Sequence, residues 1–432
     1  MTQDSPVSEA HSLFRNRPFM LLWAAQALTQ TAQNGIFFVL MVVITEATGS
    51  TTQLSLLVFS TILPSLLFGL AAGVIVDRQS KRMILIGSNA IRAVLILGYL
   101  GAGEHLVIIY FVNLLFASIS QFFAPAEVST ITHVVPKNQL MRANSLFNLT
   151  FTASQFAGLV FPIPVLVKLF DTYWTLIGLG GAYVVATALV AFLPKDVSVL
   201  DSRMAKGFLF GILDELKEGW RFVRSRPIIS FAMLNMTTAT TLILVLSVVS
   251  APFVKRILGI RADDAVFILA PAGIGVGLGA LLSPRLARAI PSARLINLGL
   301  MAFAVCLMAF GSTNWIGHYL AEVMAEPFVV RWLLAGIIPL AFVMGLAFAL
   351  INIPAQTVLQ EHTPASMRGK IFATQLTLGN VASVFPILFV GGLADIFGVA
   401  EVIVFVGMVV VGIGVFSMRR YHWLSSLAAV NR

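Results

Sequence analysis

Twelve runs of about twenty apolar residues, separated by short polar connections, leave this chain few ways to fold. They cover roughly 19–45, 53–76, 83–101, 106–126, 143–167, 173–193, 227–254, 265–286, 293–311, 332–358, 371–394 and 399–418. A helix needs about 20 apolar residues to cross about 30 Å of hydrocarbon, and in lipid each backbone group must find its partner within the segment. Composition agrees: 58% of the residues are hydrophobic and 11% charged, against about 45–50% and about 25% in soluble domains. The expectation is an all-α integral membrane protein of twelve transmembrane helices. The first run is long and no small-residue cleavage site follows it, so it is read as a retained span.

Lysine and arginine orient the spans. With the N-terminus cytoplasmic, 22 of the 28 fall on the cytoplasmic side, five outside (Lys168, Lys255, Arg256, Arg261, Arg331) and one, Arg92, inside a span. Both termini are therefore expected in the cytoplasm. The same placement accounts for the net charge of +9 without nucleic acid. The single cysteine, Cys306, excludes an internal disulfide, and no Cys/His cluster has metal spacing. No metal or cofactor is expected. An enzyme would need paired acids, a histidine cluster or an activated nucleophile at membrane depth, and none is present.

The two halves repeat. Arg15-Asn16-Arg17-Pro18 precedes the first run and Arg224-Ser225-Arg226-Pro227 the seventh, 209 residues later. Pro125-Ala126, His133, Pro136 and Arg142 return as Pro354-Ala355, His362, Pro364 and Arg368. The expected organisation is an N-terminal tail (1–18), a six-helix repeat (19–193), a basic linker (194–226), a second six-helix repeat (227–418) and a C-terminal tail (419–432). Six plus six spans in parallel repeat predict a secondary transporter with its site between the halves. The linker carries Leu209, Ile212, Leu213, Leu216, Trp220 and Val223 on one helical stripe, with Lys217, Arg221 and Arg224 beside it. This amphipathic helix suits either the membrane surface or the protein's own cytoplasmic face.

The turn between the second and third runs reads Gly73-Val-Ile-Val-Asp77-Arg78-Gln-Ser80-Lys81-Arg82. It resembles the signature between helices two and three of the major facilitator superfamily: Gly73, Asp77, Arg78, Lys81 and Arg82 match, and Ser80 stands where a second glycine is usual. Pro125 to Asn144, Glu218 to Pro227 and Gln360 to Lys370 are similar to the branch of macrolide efflux proteins, the enterobactin exporter and related drug:proton antiporters. Two features of antiporters are reduced: the helix-four arginine has no counterpart in 106–126, and the glycine-rich signature of helix five shrinks to Gly158 and Pro162. The resemblance implies a multi-pass protein of a bacterial cytoplasmic membrane, with the Asp77 turn as an inner gate. The alternative for that turn is an orientation signal alone.

Candidate site residues follow from polar positions inside apolar runs. Gln26, Gln30, Gln33 and Asn34 share a face of helix one, and Asn235 repeats Gln26 at the offset of 209. Asn113, Gln121, Gln356 and Gln375 join them as substrate-cavity candidates, the alternative being hydrogen bonds that hold helices together. Arg92 persists at membrane depth only if paired or hydrated, as a contact to an anionic substrate or as part of a structural network. Glu127 and Glu361, near His133 and His362, are the proton-coupling candidates; the alternative is a gate ion pair with Arg142 or Arg368. The expected activity is export of a bulky amphipathic small molecule, of drug or siderophore type, by alternating access with proton antiport, the protein acting as a monomer in the lipid bilayer. Its rivals are a lysophospholipid or other lipid-like solute moved without protons, and, more remotely, a transporter-like sensor or scaffold.

Overall fold

A computed structural model describes residues 13–103, 105–195, 208–259, 261, 264, 266–323, 325–364 and 367–430. These residues are helical almost throughout, with no strand among them. The helices are α1 (Arg17–Thr48), α2 (Thr51–Arg78), α3 (Lys81–Ala102), α4 (Leu106–Val134), α5 (Leu140–Leu159), α6 (Ile163–Ala191), α7 (Phe208–Ser225), α8 (Pro227–Ile257), α9 (Val266–Ala289), α10 (Ser292–Val323), α11 (Glu326–Glu361), α12 (Arg368–Phe397) and α13 (Val399–Val430). Among the described residues, ten are long and apolar enough to cross a membrane. The other two expected spans correspond to α5, whose sequence carries Asn144, Asn148, Thr150, Thr152 and Gln155, and to α9. The thirteenth helix, α7, is the amphipathic linker.

One boundary differs from expectation. The fifth span was expected as unbroken helix over 143–167, but α5 stops at Leu159 and helix resumes at Ile163. Pro162 has no N–H to continue the ladder. Within α6 the backbone breaks again at Asp171, whose φ of 67° and ψ of 167° are non-helical. Regular helix then runs on to Ala191.

The chain forms two compact units, Met1–Val43 with Ser60–Lys206 and Ile44–Phe59 with Gly207–Arg432. In the first unit, α3 packs against α4 and α6. All six helices meet in one buried cluster: Phe19, Leu22 and Ala25 (α1), Val76 (α2), Leu85 (α3), Phe123 and Ala126 (α4), Ala143 and Phe147 (α5), Ala186 and Val190 (α6). Lipid tails are as apolar as these side chains, so close packing and interhelical hydrogen bonds hold such helices together rather than exclusion from water. Gly158 shows how close: a Cβ there would lie 2.8 Å from Gly35 N of α1.

In the second unit, α11 packs on α9 and α10, α8 on α11, α12 and α13, and α10 on α13. The α9–α11 contact is backbone to backbone. A Cβ on Gly275 would strike the Phe342 carbonyl, and one on Gly345 the Ala272 carbonyl. Phe253 and Phe310 stack with centroids 4.2 Å apart. The linker helix α7 packs on α12, so it has a protein-facing side. Its Leu209, Ile212, Leu213 and Leu216 side chains lie outside the described residues.

Candidate functional site

The first unit contains a buried polar seam built from five helices. Leu85, Ser88, Asn89, Arg92, Ile96 and Tyr99 form the buried face of α3, and the i, i+3 spacing brings Asn89 and Arg92 together. Arg92 is 1% exposed. Its guanidinium lies 4.8 Å from the Phe123 ring centre, 5.6 Å from Phe116 and 5.8 Å from Tyr183. Aromatic faces stabilise a cation most where water is excluded, by about 2 kcal/mol or more. Phe123 is four residues before Glu127 on α4, so the two lie on one face. Glu127 is buried, one turn from Phe123 in the same seam.

Helix α1 closes the seam. The Thr29 hydroxyl donates to Asn89 Oδ1 at 3.4 Å, and the Tyr183 hydroxyl of α6 donates to the Thr29 carbonyl at 3.3 Å. Gln26 donates to the Phe147 carbonyl of α5 at 3.3 Å. Five buried atoms here make no hydrogen bond among the described residues: the donors Arg92 Nε, Arg92 Nη1 and Asn89 Nδ2, and the acceptors Glu127 Oε1 and Gln26 Oε1. Buried polar atoms are nearly always satisfied. Donors and acceptors together in one seam suit solvent, or a polar part of a solute, that can both give and accept.

Other first-unit candidates turn to local partners. Asn34 donates to the Gln30 backbone carbonyl at 2.8 Å and Gln121 to the Ala117 carbonyl at 3.4 Å. Gln30 is buried, while Gln33 and Asn34 are half-buried. Asn113 bridges α2 and α3: it donates to Ser60 at 2.8 Å and Thr61 at 2.9 Å, and accepts from the Tyr99 hydroxyl at 3.3 Å. That geometry is helix-joining.

At the Gly73–Arg82 turn, Ser80 replaces the usual glycine with a helix cap. Its hydroxyl accepts from Met83 N at 3.3 Å at the start of α3, satisfying an amide that a helix start leaves open. Arg82 donates to the Ala191 carbonyl at the end of α6, where a cation complements the helix dipole. Arg78 is exposed, Lys81 is half-buried, and a Cβ on Gly73 would meet nothing within 4 Å among the described residues. The Asp77 and Arg368 side chains lie outside the described residues.

In the second unit, Asn235 is fully buried, donates to its own helix at Phe231 and accepts from the Ser417 hydroxyl of α13 at 3.4 Å. Gln375 is buried with its Oε1 unbonded, and Gln356 is exposed. Glu361 is exposed, so the repeated acids Glu127 and Glu361 occupy opposite environments.

Sequence reasoning passed over a second polar cluster. Asp395, near the end of α12, accepts from the Thr51 and Thr52 amides at 2.9 Å, from the Ser50 and Thr52 hydroxyls at 2.6 and 2.7 Å, and from Arg256 at 2.7 Å. Arg256 also donates to the Gly49 carbonyl. Lys255 donates to the Thr45 and Glu46 carbonyls and pairs with the Glu46 carboxylate at 3.0 Å. The last carbonyls of α1 thus receive a cation and the first amides of α2 an anion, each the charge its helix end favours. The signal available was a lone acid after Ala394 and the Lys255-Arg256 pair at the end of span seven.

The family model for the Major Facilitator Superfamily matches residues 22–387. The chain is 24% identical over 416 residues to the uncharacterized MFS-type transporter YfiS of Bacillus subtilis (strain 168), covering 94% of each. It is 26% identical over 244 residues to macrolide efflux protein A of Streptococcus pyogenes, covering 51% of this chain and 54% of that one. Among solved structures, the nucleoside transporter NupG aligns with a TM-score of 0.69 at 13% identity, over 94% of this chain and 99% of that one. A bacterial homolog of the human lysosomal transporter Spinster, inward-facing and unoccupied, aligns with a TM-score of 0.68 at 16% identity, over 94% and 97%. At such identity these two show the fold. Twelve long helices in two six-helix sets, the Gly73–Arg82 turn and a family match over most of the length converge: this multi-pass membrane protein belongs to the Major Facilitator Superfamily.

Proposed function

We propose that this chain exports a bulky amphipathic small molecule by proton-coupled antiport, acting as a monomer with both termini on the cytoplasmic side of a bacterial inner membrane. The observation that carries the coupling is that Glu127 lies buried in the same seam as the buried cation Arg92. A charge out of water needs a partner or neutralisation. Glu127 can meet that demand in two ways, by remaining ionised against Arg92 or by taking up a proton. Two such states, each tolerated in one seam, are what a coupling site requires. Glu361 is exposed and has no comparable demand. Substrate class and direction draw support from the likeness to macrolide efflux protein A.

The test uses proteoliposomes containing an internal pH dye. A proton gradient is imposed and dyes, macrolides, siderophores and lysophospholipids are added in turn. Substrate-dependent proton movement, lost in Glu127→Gln, is the expected result. Proton movement that survives in Glu127→Gln removes that residue from the mechanism.

One feature favours a second reading, transport of a lipid-like solute without protons. A cleft of about 440 Å³ on the first unit is lined almost wholly by apolar groups, among them Leu28, Leu166, Phe170, Trp174 and Leu179. Its apolar lining suits an acyl chain. Lysophospholipid movement with no proton signal in the same assay would establish this reading and exclude antiport.

A further inference from the structure

We propose that α7 carries a docking surface for anionic phospholipid headgroups along the edge formed by Trp220, Arg221 and Arg224. The surface does not depend on the substrate or on proton coupling.

Two edges of α7 have opposite characters. Gly219 and Val223, one turn apart, face α12. Val223 is 3% exposed, and a Cβ on Gly219 would clash with the Thr374 hydroxyl and lie 3.3 Å from the Lys370 carbonyl. Glu218 ties the same contact with a 2.7 Å ion pair to Lys370. At about 100° per residue, Arg221 and Arg224 fall on the side of the helix away from that edge, and Trp220 lies between, about 60° round from Val223 and about 40° from Arg224. Trp220 is 49% exposed, and Arg221 and Arg224 are exposed. Lys217, also exposed, lies on the side of Arg221 and Arg224. Arg226 is different: it stacks on the Phe222 ring at 4.6 Å and donates to the His362 carbonyl at 3.4 Å. Of the acids of α7, Glu218 is taken by Lys370, and the side chains of Asp214 and Glu215 lie outside the described residues.

Position selects the occupant. Only Arg226 separates α7 from Pro227, the first residue of the membrane span α8. The helix is thus fixed at its C-terminal end to one span and along its edge to another, α12. A helix held there lies at headgroup level. Tryptophan is enriched at that level because its ring is apolar and its N–H polar. Basic residues beside a membrane span attract anionic headgroups, and arginine can bind a phosphate with two hydrogen bonds at once. A soluble protein partner would use the charges but has no need of the indole at the level of the headgroups.

The experiment compares the full chain in phosphatidylcholine vesicles containing brominated phosphatidylglycerol or, at equal mole fraction, brominated phosphatidylcholine. The emission of Trp220 is isolated as the difference between wild type and Trp220→Phe. Brominated phosphatidylglycerol is expected to quench it roughly twofold more than brominated phosphatidylcholine, the enrichment expected of a small basic cluster at an anionic surface. The preference should vanish in Arg221→Gln/Arg224→Gln and, for wild type, in high salt, which screens exposed charges. The salt series keeps the proposal testable if the double variant fails to fold. Equal quenching by the two lipids, a preference that survives both the double variant and salt, or no quenching by either lipid would overturn it, the last showing that this edge faces water or a protein.

Discussion

The Arg92 guanidinium sits 4.8 Å from the centre of the Phe123 ring, and Glu127 follows Phe123 by one turn of the same helix. Arginine stacks flat on such faces and lysine cannot, so Arg92→Lys should cost about 1–2 kcal/mol. Arg92→Ala should cost about 3–5 kcal/mol, because it removes the cation from three aromatic rings and leaves Glu127 buried with no opposite charge in the seam. Replacing both members, as Arg92→Met/Glu127→Gln, should recover much of that loss. Thermal unfolding in detergent, read by tryptophan emission, measures all three. Additive losses in the double variant would show that the two side chains are energetically independent.

Coupling and stability separate at the repeated acids. Glu127→Gln should reduce substrate-driven proton movement on the order of tenfold or more, as removal of a proton-carrying group does, and leave downhill substrate movement in place. Glu361→Gln should stay within about twofold of wild type, since exposed substitutions away from a site change little. The proteoliposome pH assay reads both. A reversed ranking would move coupling out of the first unit.

Asp395 should matter more than Glu46, although both are paired acids. Its carboxylate accepts two amide and two hydroxyl hydrogen bonds besides Arg256, and it is 23% exposed against 46% for Glu46. Removing a charged acceptor from several donors costs about 2–3 kcal/mol, whereas an exposed ion pair contributes about 0–1 kcal/mol. Asp395→Ala should therefore lower the unfolding midpoint clearly and Glu46→Ala hardly at all. Equal shifts would mean that the amides of Thr51 and Thr52 find other partners without loss.

The helices were legible because hydrocarbon permits little else: apolar runs of the right length had to be helices, and α7 showed its amphipathic stripe. The Gly73–Arg82 turn and the half-to-half repeat pointed to the family now matched over residues 22–387. Side-chain partners were less legible, because they depend on which helices touch. Arg92 stood out as a charge at membrane depth, yet the rings around it come from α4 and α6, and neither Phe123 nor Tyr183 differs in sequence from phenylalanines and tyrosines elsewhere. Asn113 stood among the cavity candidates, and its bonds from α4 to Ser60 and Thr61 of α2 and Tyr99 of α3 could be seen only in the fold. Asp395 was invisible because its donors are mostly backbone amides and hydroxyls at the start of a helix more than 340 residues earlier. The end of α5 at Leu159 was missed because hydropathy continues through Pro162 while the hydrogen-bond ladder does not.

Glycine substitutions can separate packing from motion. A Cβ on Gly345 would enter the Ala272 carbonyl across the α9–α11 contact. Backbone on both sides leaves little room to yield, and overpacking of this kind costs about 1–3 kcal/mol. Gly345→Ala should therefore lower stability together with transport. At Gly73 the same methyl would meet nothing within 4 Å among the described residues, and alanine is the better helix former by about 0.8–1 kcal/mol. Gly73→Ala should thus fold at least as well as wild type. If it also transports as wild type does, the glycine of the α2–α3 turn has no role in the transport cycle. If transport falls while the unfolding midpoint holds or rises, the cycle needs a close approach to Gly73 in a conformation other than this one. Paired measurements of unfolding midpoint and initial transport rate on the two variants decide the matter.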